Sequence, residues 1–268
     1  MGFVRIESVD NKKIKLAASL HQRKNREKEG MFLAEGVRLC EMVVGSSWKI
    51  KFALATEDLL ATERGKALAD KLAAIAEVCL VTEKMFLKAA ATEQPQGILL
   101  IVEQQKNSLQ ELQAEGNPLY VVLDGVQDPG NVGTVIRTAD AAGASAVLCT
   151  KGTADVFSDK VVRSTMGSLF HLPIIGGLQP EEVISFAEGC GCQLLVTALD
   201  ESARPLYERK LAGPAVLVFG NEGNGVSSEF LSAGEKTYIP MVGSAESLNV
   251  GVSAAVALFE ALRQRRYR

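Results

Sequence analysis

Three polar stretches sit where apolar runs end. The first, LDGVQDPGNVGTVIRTADAAGA (Leu123 to Ala144), reads as the end of a buried strand, a Gly/Pro turn and a helix. Such a junction often holds a phosphate at the helix N-terminus. Here Gly125, Gly130 and Gly133 lack the G-x-G-x-x-G spacing and no G-K-[ST] follows, so dinucleotide and P-loop chemistry are not indicated. Pro129-Gly130 fits the central positions of a type II turn, which puts Asn131 at a helix entrance. There its amide caps the helix or holds a substrate. Arg137 pairs with Asp140 three residues on, or clamps a phosphate with its planar fork. The second stretch is LVFGNEGNGVSSEF (Leu217 to Phe230). Three glycines in six residues allow close backbone approach or positive φ, and Glu222 is the charge held among them. The third is YIPMVGSAESLNVGVSAAVALFEAL (Tyr238 to Leu262). Ser247-Leu248-Asn249 precedes a small-residue helix that is apolar nearly all round, hence buried or interfacial. Polar side chains at its entrance then need partners.

The remaining composition excludes several chemistries. Two histidines, His21 and His171, disfavour a Ser-His-Asp or multi-His metal site. The five cysteines (Cys40, Cys79, Cys149, Cys190, Cys192) are scattered, and Cys190-Gly-Cys192 has no partner pair, so no metal is expected. Plain thiols suit a reducing compartment. No apolar run reaches the roughly 18 residues of a membrane span, and MGFVRIESVDNKK lacks a signal peptide's apolar segment. A soluble cytoplasmic protein is expected. Net charge is −3, yet residues 1–30 carry eight Lys/Arg against four acids. Arg263, Arg265, Arg266 and Arg268 close the chain. Two basic ends on an acidic body form a footprint for nucleic acid, or solvated surface.

The elements that must position these groups alternate. Ile14 to Lys28 reads as a basic helix stopped by Gly30, Met31 to Gly36 as a strand and Val37 to Val44 as a helix. Strands Phe52 to Thr56, Glu77 to Thr82 and Gly97 to Val102 alternate with helices Asp58 to Ala76 and Glu83 to Ala90. This is a small α/β layer domain, residues 1–104. Polar residues 105–117 read as a linker. Alternation restarts in 118–268. Strands Leu119 to Leu123, Ala146 to Cys149, Gln193 to Ala198, Ala215 to Phe219 and Thr237 to Ile239 combine with helices Thr134 to Ala142, Lys160 to Ser168 and Gly251 to Arg265. The continuous apolar strands predict an α/β fold with a parallel sheet covered on both faces.

The three stretches, in this order and with VVRSTMGSLFHLPI (Val161 to Ile174) between, resemble the SpoU (TrmH-type) RNA ribose 2′-O-methyltransferases of the SPOUT superfamily. The N-terminal part, through FLAEGVRLCEMV, is similar to that family's substrate-binding domain of ribosomal L30e fold. The resemblance implies a deep trefoil knot in the C-terminal parallel-sheet domain that binds S-adenosyl-L-methionine. Its cofactor residues would be Thr197, Ala198, Gly220, Asn221, Glu222, Gly223, Ile239, Pro240, Met241, Leu248 and Asn249. Asn131, Arg137, Glu222, Ser247 and Asn249 would form the catalytic group. A guanidinium stays protonated, so Arg137 is read as a clamp that stabilises a developing alkoxide, with Glu222 or Ser247 relaying the proton. RNA, ribosomal rather than transfer, would be gripped by Arg23, Lys24, Arg26 and Lys28 together with Arg137 and Arg163. A homodimer is implied, with the closing helix in the interface and Arg137 acting from the other subunit. One departure stands out: many members carry Ser after SLNV, whereas Gly251 stands here, which puts helix entry in question. The rival readings are a non-catalytic RNA-binding protein, a dinucleotide-dependent oxidoreductase and a base methyltransferase.

Overall fold

The computed structural model describes residues 3–112 and 116–267. Met1, Gly2, three residues of the expected linker (Gln113, Ala114, Glu115) and the basic terminal Arg268 lie outside the described residues. The chain forms two compact units, one of residues up to Gln105 together with Phe157–Phe170, the other of Lys106–Val156 and the residues from His171 on.

The first unit is built on β1 (Phe3–Arg5), β2 (Met31–Glu35), β3 (Ile50–Ala55), β4 (Glu77–Leu80) and β5 (Ile98–Glu103), in the order β1-β4-β3-β5-β2. β1, β4 and β3 are parallel, and β5 runs antiparallel to both β3 and β2. The short edge strand β1 was not foreseen. Helices α1 (Lys12–Ser19), α2 (Arg23–Glu29), α3 (Val37–Val44), α4 (Glu57–Leu60), α5 (Glu63–Ile75) and α6 (Glu83–Ala89) complete it. Two predicted helices are each broken in two. The Asp58–Ala76 segment stops at Thr62, whose hydroxyl donates to the Leu59 carbonyl at 2.8 Å and accepts the Gly65 N–H at 3.0 Å. A local side-chain cap there competes with the continuing helix. The Ile14–Lys28 segment breaks at Leu20-His21-Gln22, where the Arg26 guanidinium donates to the Leu20 and His21 carbonyls at 2.7 and 2.8 Å.

Phe157 and Phe170, at the two ends of the second sequence block of this unit, pack on Phe32 and Trp48. Ring centroids lie 5.0 Å apart for Phe32–Phe157 and 5.5 Å for Trp48–Phe170, the latter edge to face, a favoured aromatic geometry. His21 ties the same block from another side. Its Nδ1 meets Asp159 Oδ2 at 2.7 Å and its Nε2 meets the Ala89 carbonyl at 3.0 Å. A carboxylate and a carbonyl both only accept, so both contacts are satisfied together only when the ring carries two protons, which favours the imidazolium. The Asp159 hydrogen bond and charge raise the His21 pKa, against the opposing effect of burial.

The second unit is a seven-stranded sheet in which every strand is parallel to its neighbours. Its strands are β6 (Leu119–Asp124), β7 (Ala146–Thr150), β8 (Ile174–Leu178), β9 (Gln193–Thr197), β10 (Arg204–Pro205), β11 (Ala215–Gly220) and β12 (Glu235–Tyr238). The order is β10-β12-β9-β11-β6-β7-β8. Its helices are α7 (Pro129–Ala141), α9 (Pro180–Gly189), α10 (Ser228–Ala233) and α11 (Val250–Arg266); α8 (Asp159–Ser164) belongs to the first unit. β6 and β11 are buried at every residue, as a parallel sheet covered on both faces requires. β8, β10, α9 and α10 were not foreseen. Ser108 and Glu111 cap a short 3-10 turn in the expected linker. Among the described residues no helix is long and apolar enough to cross a membrane.

A group whose folded pKa is raised stabilises most below its unfolded value and loses that contribution as pH rises through the folded value. The unfolded value for His21 is 6.5. The stability advantage of wild type over His21→Gln should therefore narrow as pH is raised from about 6 to about 9. Urea unfolding of both proteins across that range, followed by Trp48 fluorescence, checks it.

Candidate active site

The C-terminal ends of all seven parallel strands lie on one edge of the sheet, where open α/β sheets bind ligands. Asp124 ends β6 and stands in register with Gly220, which ends β11. The chain then turns at Gly125, with φ at +63°, and α7 begins at Pro129, earlier than the predicted Thr134. Asp128 is the cap: its Oδ1 accepts the Asn131 N–H at 2.8 Å, and Pro129 takes the first helical position, where no N–H is needed. So the type II turn expected at Pro129-Gly130 does not form, Gly130 is helical, and Asn131 is not the cap. Relieved of capping, the Asn131 side chain faces the other two stretches.

The loop after β11 closes on itself. Asn221 and Gly225 exchange backbone hydrogen bonds of 2.9 and 3.0 Å. Asn221 Oδ1 accepts the Gly223 and Asn224 N–H groups, each at 2.9 Å, and its Nδ2 donates to the Gly125 carbonyl at 2.8 Å. A Cβ on Gly220 would overlap the Gly225 backbone, and Gly225 has φ at +71°. These two glycines are required by the loop's own closure rather than by the approach of a ligand. The result is a firm turn that presents Glu222.

Asn249 caps α11. Its Oδ1 accepts the Gly251 N–H at 2.9 Å and the Val252 N–H at 3.3 Å. Its Nδ2 then donates to Asn131 Oδ1 at 3.0 Å. Asn131 Nδ2 donates to Glu222 Oε1 at 2.8 Å, and Glu222 Oε2 accepts the Gln127 N–H at 3.4 Å. Amide orientations are often ambiguous. Here the backbone donors at one end and the carboxylate at the other fix both. Burial opposes the charge on Glu222, but hydrogen bonds from Asn131 and from backbone N–H groups outweigh it and hold the carboxyl below the usual glutamate value. Gly251 matters at the helix entrance, since a Cβ there would press on the Thr134 side chain at 3.2 Å. The glycine lets α11 lie against α7 while Asn249 keeps the cap, which answers the question raised by the missing Ser.

A cavity of about 610 Å³ opens beside this chain of amides. Of the expected cofactor residues, Thr197, Ala198, Gly220, Asn221, Glu222, Ile239, Met241, Leu248 and Asn249 line it, as does Ser247, whereas Gly223 and Pro240 do not. Leu199, Leu206, Phe219, Val226 and Tyr238 also line it. They went unnoticed because strand-end apolar residues read as core. Arg137 is exposed on α7 and is not part of the lining. Nor does it pair as expected, because Asp140 meets His171 Nδ1 at 3.2 Å. Among the basic residues expected to hold RNA, Arg23 is exposed and pairs with Glu27 at 2.8 Å, and Lys24 and Lys28 are exposed. Arg26 is a correction: it is 4% exposed, and its guanidinium is occupied by the carbonyls that end α1. Arg163 is half-buried in the first unit. In the basic C-terminus, Arg265 donates to the Leu211 carbonyl at 2.8 Å and the Pro118 carbonyl at 3.3 Å, an internal tie.

Residues 118–259, carrying the cavity and all three amide and carboxylate partners, match the SpoU rRNA Methylase family. The chain belongs to the SpoU rRNA methylase family. Residues 11–100 match an MRM3-like substrate binding domain. This SpoU-family protein is 36% identical, over 95% of its own length and 98% of the relative's, to the 23S rRNA (guanosine(2553)-2′-O)-methyltransferase RlmP of Bacillus subtilis. It resembles the AdoMet-bound rRNA methyltransferase of Sinorhizobium meliloti at 34% identity, with 99% of both chains covered and a TM-score of 0.88. The SpoU methyltransferase AviRb of Streptomyces viridochromogenes, in complex with AdoMet, matches at 30% identity over 96% of this chain and 99% of that one, with a TM-score of 0.87.

The overlap at Gly220 makes a simple test. Gly220→Ala should cost about 1–3 kcal/mol through overpacking against Gly225, while Gly223→Ala, at an exposed position, should stay within about 0.5 kcal/mol of wild type. Urea unfolding of the two variants compares them.

Proposed function

We propose that this protein transfers a methyl group from S-adenosyl-L-methionine to a ribose 2′-hydroxyl of ribosomal RNA. The observation that carries the reading is the oriented Asn249–Asn131–Glu222 chain beside a cavity at the C-terminal edge of a parallel sheet. The relatives support it: one is named for 2′-O-methylation of 23S rRNA, and two solved structures hold AdoMet.

The cavity's chemistry fits that cofactor. Its volume lies in the ordinary range for small-molecule sites. Among the described residues lining it there is no Lys or Arg, and Glu222 is the one formal charge. A pyrophosphate would find no cation there, whereas a sulfonium suits an apolar wall with one carboxylate. That argues against a dinucleotide and for a positively charged ligand. When bound, S-adenosyl-L-methionine supplies a methyl on a sulfonium, electrophilic toward an oxygen placed in line with it.

The chain's own residues then have assignable parts. Glu222 is a weak base at neutral pH, since its carboxyl is held low, so it orients Asn131 and contributes negative charge rather than taking the proton. Asn131 and Asn249 fix the ribose, and the exposed Ser247 hydroxyl takes the 2′-hydroxyl proton while giving its own to solvent water. Placement of this kind supplies several kcal/mol, up to roughly 7–11 in favourable cases. Arg137 clamps the phosphate beside the target and stabilises the developing alkoxide.

Arg137 acts in this reading from a second copy of the chain. Val252 and Phe259 are half exposed on α11, with Ala255 and Val256 between them, forming an apolar stripe on a helix packed against α7. Pairing two such stripes makes a homodimer and brings Arg137 of each α7 toward the partner's cavity. The segments after β11 and β12 are the loops of the deep knot. Arg23, Lys24, Lys28 and Arg163 grip the RNA, without Arg26. Bacterial ribosomal RNA, the substrate named for the relatives, lies in the cytoplasm, and this reading puts the protein there.

The test is chemical. Ribosomal RNA treated with the protein and S-adenosyl-L-methionine should gain an alkali-resistant dinucleotide, the mark of a 2′-O-methyl group. The same RNA with deoxyribose at the mapped target, a linkage that resists alkali without any methyl, should take up no labelled methyl group, since only the 2′-oxygen distinguishes the two. Methyl incorporated equally into the deoxy-substituted RNA would mean that a base is the acceptor.

A further inference from the structure

The geometry points to Asp124 as a positioning residue for methyl transfer, a carboxylate that sets the height of Glu222 from beneath the sheet edge. The inference rests on the function proposed above.

Asp124 is 7% exposed, the one buried acid among the described residues of the second unit. A buried carboxylate is retained at a cost unless donors satisfy it. Both oxygens have one. Oδ2 accepts the Ser227 N–H at 2.7 Å, and Oδ1 accepts the Thr150 hydroxyl at 2.8 Å. The same Thr150 oxygen accepts the Gly125 N–H at 3.0 Å. One side chain therefore ties two strand ends, β6 on which it sits and β7 through Thr150, to the far side of the β11 loop through Ser227.

That loop is held at two places. Asn221 fastens its near side to the Gly125 carbonyl at 2.8 Å. Asp124 fastens its far side at Ser227. Glu222 lies between the two anchors and reaches Asn131 at 2.8 Å. Releasing the Ser227 anchor leaves the loop's internal closure intact, because Asn221 and Gly225 make that themselves. What is lost is the far anchor, which leaves Asn221 alone to hold the loop over β6 and Glu222 free to shift. Asn131 then loses its acceptor, and the error passes to Asn249. A displacement of about 1 Å at such a distance from the chemistry can cost up to about a hundredfold in rate. The cavity walls on β9 and β12 (Thr197, Thr237 and Tyr238) are not touched by this anchor, and of the loop's own wall the Asn221–Gly225 closure is kept, so cofactor binding changes less than the rate.

The expected signature is a split between rate and binding. With ribosomal RNA as acceptor, Asp124→Ala should lower kcat by about tenfold or more, while Kd for S-adenosyl-L-methionine by calorimetry stays within about threefold of wild type. Asp124→Asn should restore kcat to within about threefold, because its oxygen accepts from Ser227 while its NH2 donates to Thr150. If Asp124→Ala does not fold, Thr150→Val carries the test, with a smaller loss of kcat expected. The proposal is overturned by folded Asp124→Ala with kcat within about twofold of wild type. It is equally overturned if kcat and cofactor affinity fall together, or if Asp124→Asn rescues nothing. Wild-type protein that transfers no methyl sinks the functional reading itself. An active wild type matched by its variants removes the positioning claim alone.

Discussion

The site depends on the two ends of one amide. Asn249 Oδ1 is committed to the first N–H groups of α11, groups that any helix must satisfy. With that oxygen occupied, its Nδ2 has only donors left to offer. Asn131 must therefore turn its oxygen toward Asn249 and its NH2 toward Glu222. A carboxylate is the acceptor that completes the order, and the resulting charge-assisted bond keeps Glu222 ionised. A helix cap thus sets the direction of three side chains drawn from three separate stretches.

The sheet makes the meeting possible. Asp124 and Gly220 are 96 residues apart in the chain, yet they end neighbouring parallel strands in register. The Gly125 turn and the Gly220 loop consequently leave the sheet side by side, and the Asn221 amide joins them. α7 and α11 pack together, with Gly251 allowing close approach to Thr134. Strand pairing provides the coarse alignment, and caps and loop closure provide the fine one.

The three site stretches were legible because polar residues interrupted runs that otherwise had to be buried. Element boundaries were less legible wherever a side chain overrode periodicity. Asp128 starts α7 five residues early, Thr62 divides one helix, and Arg26 with His21 divides another. Arg26 also shows the weakness of reading charge as surface, because the carbonyls of a helix end can bury a guanidinium. β8 was hidden by the Gly176-Gly177 pair, although Pro180 and the Gln179–Glu182 capping box did signal α9. The apolar lining of the cavity could not be distinguished from core, since Leu206 and Phe219 are themselves buried beneath it and only Leu199 is exposed at its mouth. The second sequence block of the first unit was equally invisible, because it rests on contacts of Phe157 and Phe170 with aromatics more than a hundred residues away.

The central claim is that the Asn249 amide orients the site, beyond ending a helix. Asn249→Asp separates the two roles. An aspartate caps a helix as well as asparagine does, so the thermal midpoint should stay within a few degrees of wild type. It has no N–H to donate to Asn131, so the chain is broken. Single-turnover methyl transfer to ribosomal RNA, measured on folded protein saturated with cofactor, should fall by about a hundredfold. Transfer at the wild-type rate would contradict the account, and the chain of amides would then be a helix cap with neighbours.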